Sequence, residues 1–152
     1  MKVRVAELLL RGAGGEPIDF ARTIVSHGVG ELPPIRVNLE HRTLETTLAV
    51  PRGARTVRIT ARGKKLQIEG NADPKLVKTV AHMFRLDEDL SRFYALVRDD
   101  ELAWCALGAG RMLRAPTVFE DIVKTNQTPI RTRATCSSAW SELVSQAGGR
   151  VP

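Results

Sequence analysis

The sequence predicts an α+β fold: an antiparallel β-sheet with an early helix, followed by a helical segment that begins an incomplete helical domain. Three observations predict it. Apolar residues alternate with a period of two through residues 1–70. The apolar spacing changes to 3.6 after Asp73. Clusters of Gly, Pro and Asn separate the alternating runs. Strands first and helices afterwards is the α+β order, and no internal repeat interrupts it.

Val3, Val5 and Leu8 to Leu10 give an opening strand. Ile35, Val37 and Leu39 alternate with Arg36, Asn38 and Glu40. Leu44, Thr46, Leu48 and Val50 alternate again, followed by Val57 with Ile59 and Leu66 with Ile68. Such alternation belongs to half-buried strands of an antiparallel sheet. Turns fall at Pro51-Arg52-Gly53, Arg62-Gly63-Lys64 and Gly70-Asn71. A short helix over about Asp19 to Ser26 interrupts the series, and His27-Gly28 ends it.

Asp73 and Pro74 read as an N-cap with proline in the first helical position, and Leu76, Val80, Met83 and Phe84 fall on one face behind them. A second helix is expected from Asp87, with an acidic first turn and with Leu90, Phe93, Tyr94 and Val97 as its apolar stripe. A short helix over about Asp100 to Leu107 ends in Gly108-Ala109-Gly110. Thr117 and Glu120 form a capping-box pair ahead of Ile122 and Val123. From Thr125 the pattern weakens: Pro129 breaks the preceding helix and Ser and Thr compete for backbone hydrogen bonds. Trp140, Leu143 and Val144 restore only one amphipathic turn. The expected division is a sheet-plus-helices domain over 1–110 and a divergent, incomplete helical core over 111–152, its tail loosely docked.

The chain has 152 residues, enough to bury a core without staples. No apolar run approaches the ~20 residues that span a bilayer, and Arg4 and Glu7 interrupt the N-terminal apolar stretch. A cytoplasmic address without membrane attachment follows as the expectation. Cys105 and Cys136 read as two free thiols. The net charge of +6 is compatible with nucleic acid and is unevenly spread. Between Thr46 and Gln67 stand six basic residues and no acid, whereas Asp87 to Glu101 carries six acids against Arg92 and Arg98.

His27, His41 and His82 are too far apart for ligand spacing, and neither cysteine belongs to a Cys-x-x-Cys pair, so no metal site and no cofactor are expected. Ser26-His27 reads as a helix end, since adjacent residues point apart and no nucleophile elbow is present. Asp87-Glu88-Asp89 reads as helix-start acids. Leu107-Gly108-Ala109-Gly110 has the string of a phosphate-gripping hairpin, yet five residues separate Gly110 from Pro116, too few for a second helix. It reads as a loop, with Arg111 and Arg114 beside it available to phosphates.

Three strings together resemble the bacterial 3-methyladenine type of helix-hairpin-helix DNA glycosylases. Ser26-His27-Gly28 with Leu32-Pro33-Pro34 resembles the family's entrance. Phe84-Arg85-Leu86-Asp87 with Leu90 and Phe93-Tyr94 resembles its helix pair. GAGRMLRAPTVFEDIVK, from Gly108 to Lys124, resembles the junction where its helical catalytic core begins. The resemblance covers about Asp19 to Lys124. It implies a protein of base-excision repair that holds damaged double-stranded DNA by its phosphates and flips the lesion base into a pocket. There an aspartate supports, or in some relatives a lysine carries out, cleavage of the N-glycosidic bond.

The resemblance also implies what this chain lacks. Pro129 and Ile130 stand where relatives carry a Thr-Asn pair, and Arg133 stands for their Trp. A compensated frameshift or decayed segment would produce this. The hairpin and catalytic aspartate would lie beyond Pro152, so no residue here is expected to be catalytic. The expected DNA contacts are weak and phosphate-mediated, through Arg111, Arg114, Lys124 and Arg131, which flank the junction. The strand cluster Arg52 to Lys65 is the rival surface. A non-catalytic DNA-binding or scaffold protein is the alternative function.

Overall fold

The computed structural model describes residues 5–26, 32–51, 53–99 and 101–127. His27 and Gly28 of the entrance string, Arg52, Asp100, and the expectations for Arg131, Cys136 and the rest of the tail from 128 lie outside them.

Five strands form one antiparallel sheet: β1 (Val5–Leu9), β2 (Arg36–Asn38), β3 (Thr43–Val50), β4 (Gly53–Arg62) and β5 (Lys65–Glu69), ordered β1-β5-β4-β3-β2. The last four make a meander, and β1 closes its other side by pairing Val5 with Glu69 and Leu9 with Lys65. β4 is longer than the Val57 and Ile59 pair suggests. It carries Arg55 at an inward register position, where Nη1 donates to the Asn71 carbonyl at 2.7 Å and pairs with Asp73 at 3.7 Å. Gly63, with φ 57°, opens the two-residue loop between β4 and β5, as a type II′ hairpin requires.

One face of the sheet is covered and the other faces water. Leu44, Leu48, Val57, Ile59, Leu66 and Ile68 form the buried face. Against them pack α1 (Phe20–Ile24) and α2 (Pro74–Met83) through Phe20, Ile24, Leu76, Val80 and Met83. Phe20 and Phe84 stack with ring centroids 5.5 Å apart. Each such side chain, fully buried, contributes about 1.5–3 kcal/mol. The expected Asp73 cap is present, accepting from the Leu76 amide at 2.9 Å, and Asp19 caps α1 by accepting from the Arg22 amide at 3.1 Å. The exposed face is laced by Arg58–Glu45 and Lys65–Glu7 pairs. The α+β class is therefore that read from the apolar periods.

The second half follows with one correction. α3 (Ser91–Leu96) starts four residues later than the expected Asp87, and its first turn holds no acid. The acids are used otherwise. Arg85 takes a left-handed conformation (φ 53°) that turns the chain after α2. Glu88 is drawn into ion pairs with Arg85 and Arg114. Asp89 accepts from the Ser91 amide at 2.8 Å, and hydrogen bonding by Ser91 holds its carboxyl below the ordinary value. The short helix expected over about Asp100 to Leu107 is a 3₁₀ helix over Ala103–Leu107, and α4 (Val118–Gln127) follows a linker. No helix among the described residues is long and apolar enough to cross a membrane.

Candidate functional site

The linker from Gly108 to Thr117 is where the three strings of the sequence meet. Ser26 Oγ accepts from the Leu113 amide at 3.0 Å, which ties the end of α1 to the linker. The Arg114 amide donates to the Met83 carbonyl at 2.9 Å, which ties the linker to the end of α2. Gly108 takes φ 107° and its carbonyl accepts from the Asp19 amide at 3.0 Å; a Cβ there would lie 2.5 Å from that nitrogen. The amides of Gly108 and Ala109 both donate to the Cys105 carbonyl. The Gly-Ala-Gly string thus closes the 3₁₀ helix against α1 and spends two amides inside the protein. Ser26 acts as an anchor of the linker.

At the centre of the junction is Arg111, whose side chain is 0% exposed. Its guanidinium donates to Glu16 and to the carbonyls of Arg85 and Glu88. Glu16, also buried, accepts in addition from the Leu90 amide at 2.8 Å. This clasp joins the 11–17 loop, the 84–90 turn and the linker. It explains two glycines, since a Cβ on Gly12 would fall 2.0 Å from both Arg111 and Glu16, and one on Gly14 would fall 2.2 Å from Asp89. Glu16 Oε2 and Arg111 Nε have no hydrogen-bond partner among the described residues. Tyr94 closes the side of the clasp, donating to the Ala109 carbonyl at 2.6 Å; burial pushes its phenol above the ordinary value of 10.0.

The expected DNA-contact residues are placed as follows. Arg111 is inside the clasp. Arg114 lies at its rim, 30% exposed, pairing with Glu88 and 3.4 Å from His82 Nδ1. Lys124 is 1% exposed and pairs with Glu120 one turn earlier. Arg131 lies outside the described residues. Arg111 and Arg114 meet through Glu88, one by its carbonyl and the other by its carboxylate. Thr117 Oγ1 accepts from the Glu120 amide at 3.2 Å, half of the expected capping box; the Glu120 carboxylate serves Lys124 instead.

Two partners were not legible as site residues. Glu16 sits in a Gly-rich loop where an acid reads as solvated, and Glu88 sits among acids that read as a helix start. The weak signal for the first was the run of glycines beside an acid at 12–16. On the open sheet face, a cleft of about 420 Å³ is lined by Arg36, Asn38, His41, Glu45 and Arg58, but its carboxylate is bound to Arg58. Among the described residues no three His, Cys, Asp or Glu side chains gather as metal ligands.

Among solved structures the chain is similar to a 3-methyladenine DNA-glycosylase from Archaeoglobus fulgidus. The TM-score is 0.64 at 16% identity, over 87% of this chain and 47% of that one. The likeness shows a DNA-glycosylase-like fold. The chain spans about half the length of the solved structure it matches. No protein-family model and no curated protein matches it.

Proposed function

We propose that this chain is the sheet-bearing part of a DNA base-excision repair glycosylase of the helix-hairpin-helix type, acting with damaged double-stranded DNA. The observation that carries the reading is the structural likeness to a 3-methyladenine DNA-glycosylase over 87% of the chain. The convergence of the three family-like strings on one linker supports it. In this reading residues 1–110 are a scaffold and 111–152 enter a divergent helical core. Arg114, at the rim of the clasp, is the junction cation offered to a phosphate. Arg111 and Lys124 hold the junction from within, and Arg131 extends the contact.

Cleavage of an N-glycosidic bond develops positive charge at the sugar carbon, and a carboxylate or amine fixed beside it supplies the stabilisation. The junction acids have other work: Glu16, Glu88 and Glu120 neutralise buried or half-buried cations, and Asp121 accepts from the Ala115 amide at 3.0 Å. With those acids so engaged, the described residues serve in this reading as a DNA-holding scaffold.

The test is the purified chain with duplexes containing 3-methyladenine or 8-oxoguanine. Salt-sensitive duplex binding without release of free base is expected. Lesion-specific release abolished by one point mutation would overturn the scaffold assignment. Absence of duplex binding at low salt would overturn the DNA reading.

A further inference from the structure

At one end of the sheet four cations from three chain segments come together, none of them ion-paired among the described residues. The Ala61 amide donates to the Arg42 carbonyl at 3.2 Å, which places Arg42 beside Ala61-Arg62 at the end of β4. Arg62 and Lys64 flank Gly63 in the β4–β5 loop. The Leu10 amide donates to the Lys64 carbonyl at 2.8 Å, which brings Arg11 alongside, and a cleft of about 300 Å³ is lined by Arg11, Gly63 and Lys64 with no acid in its wall. All four side chains belong to exposed residues, and among the described residues none makes an ion pair or a side-chain hydrogen bond. Lys65 next to them is taken by Glu7, and Glu40 is the acid in the adjoining 39–42 turn.

We infer that this rim of Arg11, Lys64, Arg62 and Arg42 is a docking surface for the phosphodiester backbone of duplex DNA. It is a surface apart from the Arg111–Lys124 junction. The case is charge complementarity. Strands lie ~4.8 Å apart, so the adjacent ends of β1, β5, β4 and β3 set the cations along about 14 Å. One strand of duplex DNA carries about four phosphates over that length, at one per ~3.4 Å of helix axis. Cations already bound to acids, as at the junction, must break those pairs to meet a phosphate; unpaired ones release counterions from the DNA at no such cost. The backbone beneath them is hydrogen-bonded into the sheet and its loops, so the cations are presented on a fixed frame. Sequence is not read here, since phosphate contacts position a protein without distinguishing bases.

The experiment measures affinity of the full chain for an undamaged duplex by fluorescence anisotropy across a salt series. One variant changes Arg11, Arg42, Arg62 and Lys64 to Gln. A second changes Lys75, Lys78, Arg92 and Arg98 to Gln, removing the same net charge from exposed positions that also lack ion pairs. Circular dichroism confirms that both fold. The rim variant should bind at least about tenfold more weakly at 50 mM salt, with its log–log salt slope reduced by about 2 or more. The second variant should lose less than about threefold, with the slope nearly kept. Equal losses in both would reduce the effect to net charge and overturn the inference. So would an unchanged slope in the rim variant, or rim-dependent binding to phosphatidylserine vesicles with none to DNA. Base release is scored separately, so failure of the glycosylase reading leaves this result distinguishable.

Discussion

At the scale of single residues, the decisive side chain is Arg111, and its identity matters through geometry. Its guanidinium serves one carboxylate and two carbonyls from two separate segments, which a lysine point charge cannot do at once. Arg111→Ala would leave Glu16 charged and unpaired in the interior, a loss of about 3–5 kcal/mol. Arg114→Ala, at a partly exposed pair, should cost about 1 kcal/mol or less. Urea unfolding midpoints should separate the two variants clearly. Tyr94 offers a pH test. Its folded phenol ionises above 10.0, so the unfolded chain gives up the proton first. The stability that Tyr94 supplies is therefore complete below pH 10.0 and is lost as pH rises through the folded value. Tyr94→Phe should cost about 1 kcal/mol at neutral pH. It should also flatten the alkaline decline seen in unfolding curves collected across that range. Sequence reasoning singled out Arg111 as a phosphate contact flanking the junction, and its burial was not legible there. Burial of a charged group depends on a distant partner, and Glu16 is 95 residues away.

At the scale of elements, period and capping were the legible signals, and handedness of the turns was legible in part. The Asp73 cap, the Gly63 loop and the alternation of β3 came directly from local chemistry. The start of α3 did not, because Glu88 was claimed by Arg85 and Arg114 and Asp89 by Ser91. α4 shows the limit most clearly. Its Glu120–Lys124 pair faces inward, while Val118, Phe119 and Ile122 are exposed by more than half. The Thr117–Glu120 spacing was legible in the sequence as a cap; the buried ion pair was not. The Gly108 and Gly110 turn gives a prediction at this scale. Both residues have positive φ, so alanine strains either by about 1–3 kcal/mol. At Gly110 the nearest atom to an added Cβ is 3.5 Å away, whereas at Gly108 it is a backbone nitrogen at 2.5 Å. Gly108→Ala should therefore lower the melting temperature more than Gly110→Ala, and equal shifts would refute the tight approach of the linker to α1.

At the scale of the whole molecule, charge is sorted by structure as much as by sequence. The net charge of +6 and the basic run from Arg52 to Lys65 were visible from the start. Which cations are spoken for was not, since Arg58 and Lys65 of that run pair across strands with Glu45 and Glu7. Only the register of the sheet decides that. The same register sets the order in which the molecule can assemble. β2 to β5 are neighbours in sequence, and their hairpins close short loops. The clasp, in contrast, joins Glu16 to Arg111 and must wait until both the sheet and the α2 turn exist, because long loops are entropically costly to close early. Interactions absent from the folding transition state govern how fast the native protein comes apart. Glu16→Gln should therefore leave the refolding rate in stopped-flow experiments nearly unchanged and speed unfolding in proportion to the stability it removes. Slower refolding of that variant would mean that the two ends of the chain find each other first. On the expected order, the Glu16–Arg111 clasp is a latch that sets the lifetime of the folded state.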